Sequence, residues 1–179
     1  MIDYEAFITK KSTQALHAAS LQVSLDELNP KLYRFQKDIV RWALAKGRAA
    51  VFADCGLGKT PIQLEWASQI IKTQGGMVLI LAPLAVASQT AAEGVKFGVP
   101  VTVCQSAEDL RPGVNITNYE RLDKFAGQTF SGVVLDESSI LKSFDGKVRN
   151  QIIDFFSKTP FRLACTATPA PPLSRCRLL

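Results

Sequence analysis

The chain has one histidine, His17, in 179 residues. That single imidazole, in a weakly patterned stretch, supports neither a metal centre nor a catalytic triad. Cysteine is also scarce. Cys55, Cys104, Cys165 and Cys176 are far apart and form no C-x-x-C pair, so they read as buried or semi-buried thiols in a reducing compartment rather than as a zinc site or disulfide framework. Long apolar runs are missing. The longest, Met77 to Ala87, is broken by Pro83 and falls well short of the roughly 20 residues of a membrane helix. The start, Met1-Ile2-Asp3-Tyr4-Glu5, lacks the basic and apolar regions of a secretory signal. A cytoplasmic chain with no membrane partner is expected. Internal repeats and low-complexity linkers are absent too.

What remains is ordinary globular composition, 47% hydrophobic and 21% charged. The length suits one domain, which can bury roughly 70% of its unfolded surface and needs no covalent staple. Twenty-one basic residues against 16 acidic ones give a net charge of +5. That balance permits a nucleic-acid partner without establishing one.

Apolar strands and helical stretches alternate along the chain. Helical spacing at Leu32, Phe35, Ile39, Trp42 and Ala43 predicts a helix that Gly47 ends. Short apolar runs predict buried strands at Ala49–Ala53, Met77–Leu81, Val101–Cys104, Val114–Thr117, Gly132–Leu135 and Phe161–Cys165. Helices are expected at Lys59–Lys72, Ala85–Lys96 and Lys147–Ser157. This order implies an α/β fold with a mostly parallel sheet flanked by helices. Such sheets bind ligands beyond the carboxyl ends of their strands.

Ala53-Asp54-Cys55-Gly56-Leu57-Gly58-Lys59-Thr60 follows the first strand and opens a helix. It fits the phosphate-binding loop, with Ala53 in place of the first glycine. Small residues let successive backbone N–H groups curl around an anion, and the helix N-terminus adds partial positive charge. Lys59 can reach the β- and γ-phosphates of ATP, and the Thr60 hydroxyl is a hard oxygen ligand for Mg²⁺. A glycine-rich turn preceding Lys-Thr by chance is the alternative. Asp136-Glu137 ends the Gly132–Leu135 strand. There an aspartate can hold Mg²⁺ and the glutamate can act as general base on water, though a solvated turn or helix cap would use the same residue types.

These two motifs, with the segments around them, resemble the first RecA-like P-loop domain of a superfamily 2 helicase or translocase. Asp136-Glu137-Ser138-Ser139-Ile140-Leu141-Lys142 resembles the SNF2-type acidic motif II, with Ser138 and Ser139 replacing the more usual Ala-His or Ala-Asp. Thr166-Ala167-Thr168-Pro169 resembles motif III. Leu32-Tyr33-Arg34-Phe35-Gln36 resembles the upstream element that reads adenine. Ala82-Pro83-Leu84 and Thr117-Asn118-Tyr119-Glu120 resemble motifs Ia and Ib. The likeness covers residues from about 30 to 170, and phage- and bacterium-encoded SNF2-like helicases are the nearest in pattern.

The resemblance implies ATP and Mg²⁺ as cofactors and nucleic acid, DNA first, as partner. Lys59, Asp136 and Glu137 take the catalytic roles, with Thr60 and Asp136 on the metal. The loop Asp54 to Thr60 and the Gln36 amide hold the nucleotide, while Phe35 is expected in the core. Pro83, Leu84, Asn118 and Tyr119 would lie along a nucleic-acid backbone, and Thr166 and Thr168 would couple it to motif II.

Residues 1–30 read as an extension, 31–168 as the ATP-binding domain and 169–179 as a proline-containing irregular tail. The second RecA-like domain of these enzymes, whose arginine finger can be worth about 10³–10⁵ in rate, has no counterpart here. A truncated chain, weakly or not active alone, is therefore expected. The alternative is a non-hydrolysing nucleic-acid or protein interaction module; a P-loop kinase is disfavoured by Glu137 beside Asp136.

Overall fold

Six strands are built from the apolar runs: β1 (Arg48–Phe52), β2 (Met77–Ala82), β3 (Val101–Val103), β4 (Gly113–Asn118), β5 (Gly132–Leu135) and β6 (Phe161–Thr166). The computed structural model describes residues 19–139 and 146–167. The strands form one sheet in the order β1-β6-β5-β2-β4-β3, and every pairing is parallel. Among the described residues there are four α-helices: α1 (Arg34–Lys46) precedes β1, while α2 (Lys59–Gln74), α3 (Ala87–Phe97) and α4 (Gly146–Phe155) lie between strands. The expected α/β architecture and element order are those observed. No helix among the described residues is long and apolar enough to cross a membrane.

Both faces of the sheet are covered. Val78, Ile80, Ala82 and Val134 join one apolar cluster with α1 and α2. Their alternate neighbours Leu79, Leu81, Val133 and Leu135 join a second cluster with Leu122, Phe125, Ile152 and Phe156. Period-two alternation thus sends successive side chains into two different cores, which is why the strands read as continuous apolar runs. Each fully buried Leu or Ile contributes about 1.5–3 kcal/mol to this packing.

Helix α1 lies differently from its expected orientation. Its buried stripe is Gln36, Val40, Ala43 and Leu44, spaced i, i+4, i+7 and i+8 on one face. Phe35 and Trp42 are on the opposite, exposed face. Phe35 stacks on exposed Tyr33, with ring centroids 6.2 Å apart and planes 7° from parallel. The aromatic periodicity was a true helical signal on the wrong face, because the core selected the smaller aliphatic residues.

Residues 19–30 pack onto the rest of the fold. Val23 and Leu28 belong to the first core cluster. Gln69 donates to the Glu27 carbonyl, and the Asn29 backbone N–H donates to the buried Glu65 carboxylate. Asn29 Nδ2 and Lys31 Nζ reach across to the carbonyls of Phe97 and Lys96 at the end of α3. Residues 1–18 and 140–145 and the tail from 168 onward, including Thr168, His17 and Cys176, lie outside the described residues. Of the other thiols, Cys104 and Cys165 are buried and Cys55 is exposed, against the expectation for Cys55, because it stands on the loop after β1.

Candidate nucleotide site

Parallel pairing brings the ends of five strands to one edge. Phe52 of β1 pairs with Thr166 of β6, Leu135 of β5 with Ala164 of β6 and Leu81 of β2, and Ala82 of β2 with Asn118 of β4. The next residues are therefore neighbours: Ala53 donates its N–H to the Thr166 carbonyl, and Asp136 to the Leu81 carbonyl. Motif segments scattered through the sequence form one row at this edge, with the loop from β1 to α2 above it.

Glycines shape that loop. Gly56 (φ +85°) and Gly58 (φ +75°) are both in the left-handed region, and Gly58 is the residue that turns the chain into α2. A Cβ on Gly58 would sit 2.3 Å from Gln36 Nε2. Gln36 ties the loop to α1: its Oε1 accepts the Tyr33 N–H (2.9 Å) and its Nε2 donates to the Leu57 carbonyl (3.2 Å). Each end of the amide keeps capacity for a second hydrogen bond, so these contacts are compatible with reading a base edge. Gly58→Ala is expected to weaken nucleotide binding at least about tenfold, since a left-handed alanine costs roughly 1–2 kcal/mol and the clash displaces Gln36. Fluorescent-nucleotide titration checks this, and unchanged affinity would show the loop tolerates the side chain.

Half-buried Lys59 donates from Nζ to the carbonyls of Ala53 (2.9 Å) and Asp54 (3.3 Å). The Asp54 carboxylate accepts the Cys55 N–H at 2.7 Å. Thr60 follows on the first turn of α2, which carries no acidic residue, so the positive end of that helix is unneutralised. The donor set fits a polyphosphate with a hard divalent cation: left-handed glycines, a lysine, a first-turn hydroxyl and an aspartate at the neighbouring strand end.

Burial pushes the Asp136 carboxyl above the usual range, opposed by a hydrogen bond from Gln63 and by the charge of Lys59. Gln63 Nε2 donates to Asp136 Oδ1 at 2.6 Å. For Glu137 burial acts upward as the largest single influence, yet hydroxyl donors at Ser139 and Thr166 together with Lys59 hold it below the usual range. Thr166 Oγ1 donates to Glu137 Oε1 at 2.9 Å, and the Ser139 hydroxyl donates to the same oxygen. Glu137 is the only non-glycine described residue with positive φ, +49°. That strained backbone persists because these contacts fix it from both sides.

The remaining site residues divide. Leu84 is exposed and Pro83 half-buried at the end of β2. Tyr119, expected along a nucleic-acid backbone, is instead buried, and its hydroxyl donates to the Asp136 carbonyl at 2.8 Å. Its ring spans from β4 to the acidic motif and leaves the surface to its neighbours. Asn118 is buried too, and its Oδ1 lacks a hydrogen-bond partner among the described residues.

Beside the loop lies a groove of about 420 Å³, lined by Tyr33, Gln36, Gly56 and Gly58 on one side and Lys31, Glu93, Lys96 and Phe97 on another. The latter four were missed in the sequence. Lys31 and α3 meet only through tertiary packing, and no local motif marks them. Gln63 and the role of Ser139 were missed as well. A glutamine four positions after Lys59, flanked by Ile62 and Leu64, was the available signal.

No family model matches this chain, and no curated protein matches it. Solved structures do. The SWI2/SNF2 ATPase core of Sulfolobus solfataricus, in complex with dsDNA, superposes with a TM-score of 0.71 at 19% identity over 88% of this chain. The UvsW helicase of bacteriophage T4 gives 0.72 at 18% over 92%, and the Hef helicase domain of Pyrococcus furiosus 0.63 at 23% over 78%. This chain spans 37% of that Sulfolobus chain, 68% of the UvsW chain and 33% of the Hef chain. The fold is thus the RecA-like fold of these helicase and ATPase domains.

Proposed function

We propose that this chain is the ATP-binding half of a nucleic-acid-dependent ATPase, a DNA helicase or translocase of SNF2-like type. The observation that carries the reading is the Glu137 carboxylate, held by Thr166 at the same sheet edge as Asp136 and the glycine loop. A general base must be oriented by a further group and stand next to the phosphate site, and this one is.

In this reading the loop N–H groups from Asp54 to Thr60 and the Lys59 ammonium bind the phosphates, and the groove beside Gln36 takes the adenine. Thr60 and Asp136 would hold Mg²⁺, which when bound neutralises phosphate charge. Glu137 orients the attacking water and takes its proton. Thr166 joins that base to the strand end next to Asp54, so a shift of motif III moves the base. Pro83 and exposed Leu84 stand on the same edge, where the backbone after Pro83 can meet the phosphates of a nucleic acid without reading sequence, with buried Asn118 supporting them from the end of β4. Thr168 completes the coupling segment. Domain bounds of 31–168 for this unit, with a cytoplasmic location, belong to the same proposal.

In this reading an arginine from a second RecA-like domain would stabilise transition-state charge. The purified chain is expected to bind ATP with Mg²⁺, to turn it over slowly or not at all, and to respond to duplex DNA only when a second such domain is supplied. Steady-state phosphate release with and without DNA tests this. Strong DNA-stimulated turnover by the chain alone would overturn the half-enzyme part, and absence of nucleotide binding would overturn the whole.

A further inference from the structure

We infer that Gln63 is the positioning residue for the metal-binding carboxylate, its side-chain amide holding Asp136 in the orientation that Mg²⁺-nucleotide binding requires. The inference deepens the nucleotide-site reading above and rests on it.

Gln63 stands four residues after Lys59 on α2, so both side chains project from the same side of the helix. It is 1% exposed. From there its Nε2 reaches Asp136 Oδ1 at 2.6 Å, joining residues 73 positions apart. A neutral donor on a carboxylate makes a charge-assisted bond, among the stronger and more directional kinds. The other end of the amide is different. Gln63 Oε1 is buried with no hydrogen-bond partner among the described residues, and the amide's other polar neighbour is the buried Cys165 thiol, a weak hydrogen-bonding group. An unsatisfied buried carbonyl is destabilising, so packing alone favours leucine or methionine at this place in the core. What the amide supplies and an apolar residue cannot is the donor on Asp136.

The carboxylate needs such a donor. The terminal torsion of aspartate is broad, and the Asp136 main chain is already fixed by its N–H on the Leu81 carbonyl and by Tyr119 on its own carbonyl. The side-chain torsion is the freedom left, and Gln63 removes it. The surrounding groups do not duplicate this. Lys59 acts on Asp136 as a nearby charge, and its ammonium donates to the loop carbonyls. Groups that orient metal ligands from outside typically change metal affinity 10–100-fold when lost.

The test uses the full chain with Gln63→Leu and Gln63→Met, both close to the original volume. Calorimetric titration with ATPγS is run in excess Mg²⁺ and in EDTA, alongside thermal melting. Wild type is expected to bind more tightly with Mg²⁺. The variants are expected to match wild type in EDTA and to melt no lower, while their Mg²⁺-dependent gain shrinks roughly tenfold. An undiminished gain in both variants overturns the proposal. Equal weakening in Mg²⁺ and EDTA with a lowered melting temperature, or failure of both variants to fold, makes Gln63 structural and overturns it too. Wild type showing no gain from Mg²⁺ is a separate result: it removes the metal role of Asp136, and the proposal falls with it.

Discussion

Lys59→Ala is expected to weaken ATPγS binding by roughly 10²–10³-fold while leaving the fold intact. The ammonium is the cation that acts on both site carboxylates, drawing the Asp136 and Glu137 carboxyls downward. Without it, an incoming polyphosphate meets two carboxylates with no side-chain cation of the loop, leaving backbone dipoles and Mg²⁺ to offset them. A unit charge pair at about 4 Å is worth roughly 4 kcal/mol at a protein–water boundary, and each 1.4 kcal/mol is about tenfold in affinity. Stability should change little, within about 1 kcal/mol, because the two carbonyls that Lys59 engages, at Ala53 and Asp54, stand where β1 gives way to the loop, and the Asp54 one is open to solvent. Paired titration and melting curves check both halves. A variant that binds ATPγS like wild type would remove the phosphate role of Lys59 and leave the non-hydrolysing interaction module as the reading to pursue.

Much of this candidate site is legible in the sequence, for a chemical reason. Binding a polyphosphate constrains residue type and spacing together, so Gly56, Gly58, Lys59 and Thr60 stand in a recognisable string. The strand ends were legible because a parallel sheet covered on both faces needs continuous apolar runs, and each run stops where polar side chains such as Asp136 or Thr166 begin. Loop and acidic motif, however, are separated in the sheet by β6, the last strand in sequence among the described residues. Their proximity is a property of strand order, which no local pattern states.

What stayed hidden depends on contacts between distant segments. Gln63 looks like any helical glutamine until α2 is laid against β5, and Lys31 looks like a solvated lysine until it reaches the end of α3. Helix α1 shows the opposite failure, a strong signal misassigned. Phe35 and Trp42 share a face with helical spacing, but the surface available under α1 accepts Val40, Ala43 and Leu44, and the aromatics remain outside. Tyr119 was placed correctly in the chain and wrongly in depth. Its hydroxyl finds the Asp136 carbonyl inside the protein, a partner 17 residues away that only the β4–β2–β5 arrangement brings within reach.

Trp66→Ala is expected to have the largest effect on stability, about 3–5 kcal/mol. Trp66 is completely buried on α2, two turns past the phosphate loop. Its ring meets Phe161 edge-on, with centroids 6.4 Å apart at 79°, and it fills the space over Gly132, where an added Cβ would come within 3.4 Å of it. The alanine variant therefore opens a cavity between α2 and the strands β5 and β6, whose backbone cannot collapse to fill it without breaking the sheet. One term acts the other way. The indole Nε1 is buried with no acceptor among the described residues, and an unpaired buried donor costs about 1–3 kcal/mol. Trp66→Phe removes that N–H and keeps most of the aromatic contact, so it should stay within about 1.5 kcal/mol of wild type. Urea unfolding of both variants separates the two contributions. A phenylalanine variant as unstable as the alanine one would mean that the indole N–H has a partner and that ring volume is not what Trp66 supplies. For a chain of this size the alanine loss corresponds to a fall of roughly 10 °C in Tm. Below the transition, ATPγS affinity should be unchanged, since the loop, Gln36 and Gln63 are anchored to α1 and β5 by their own hydrogen bonds.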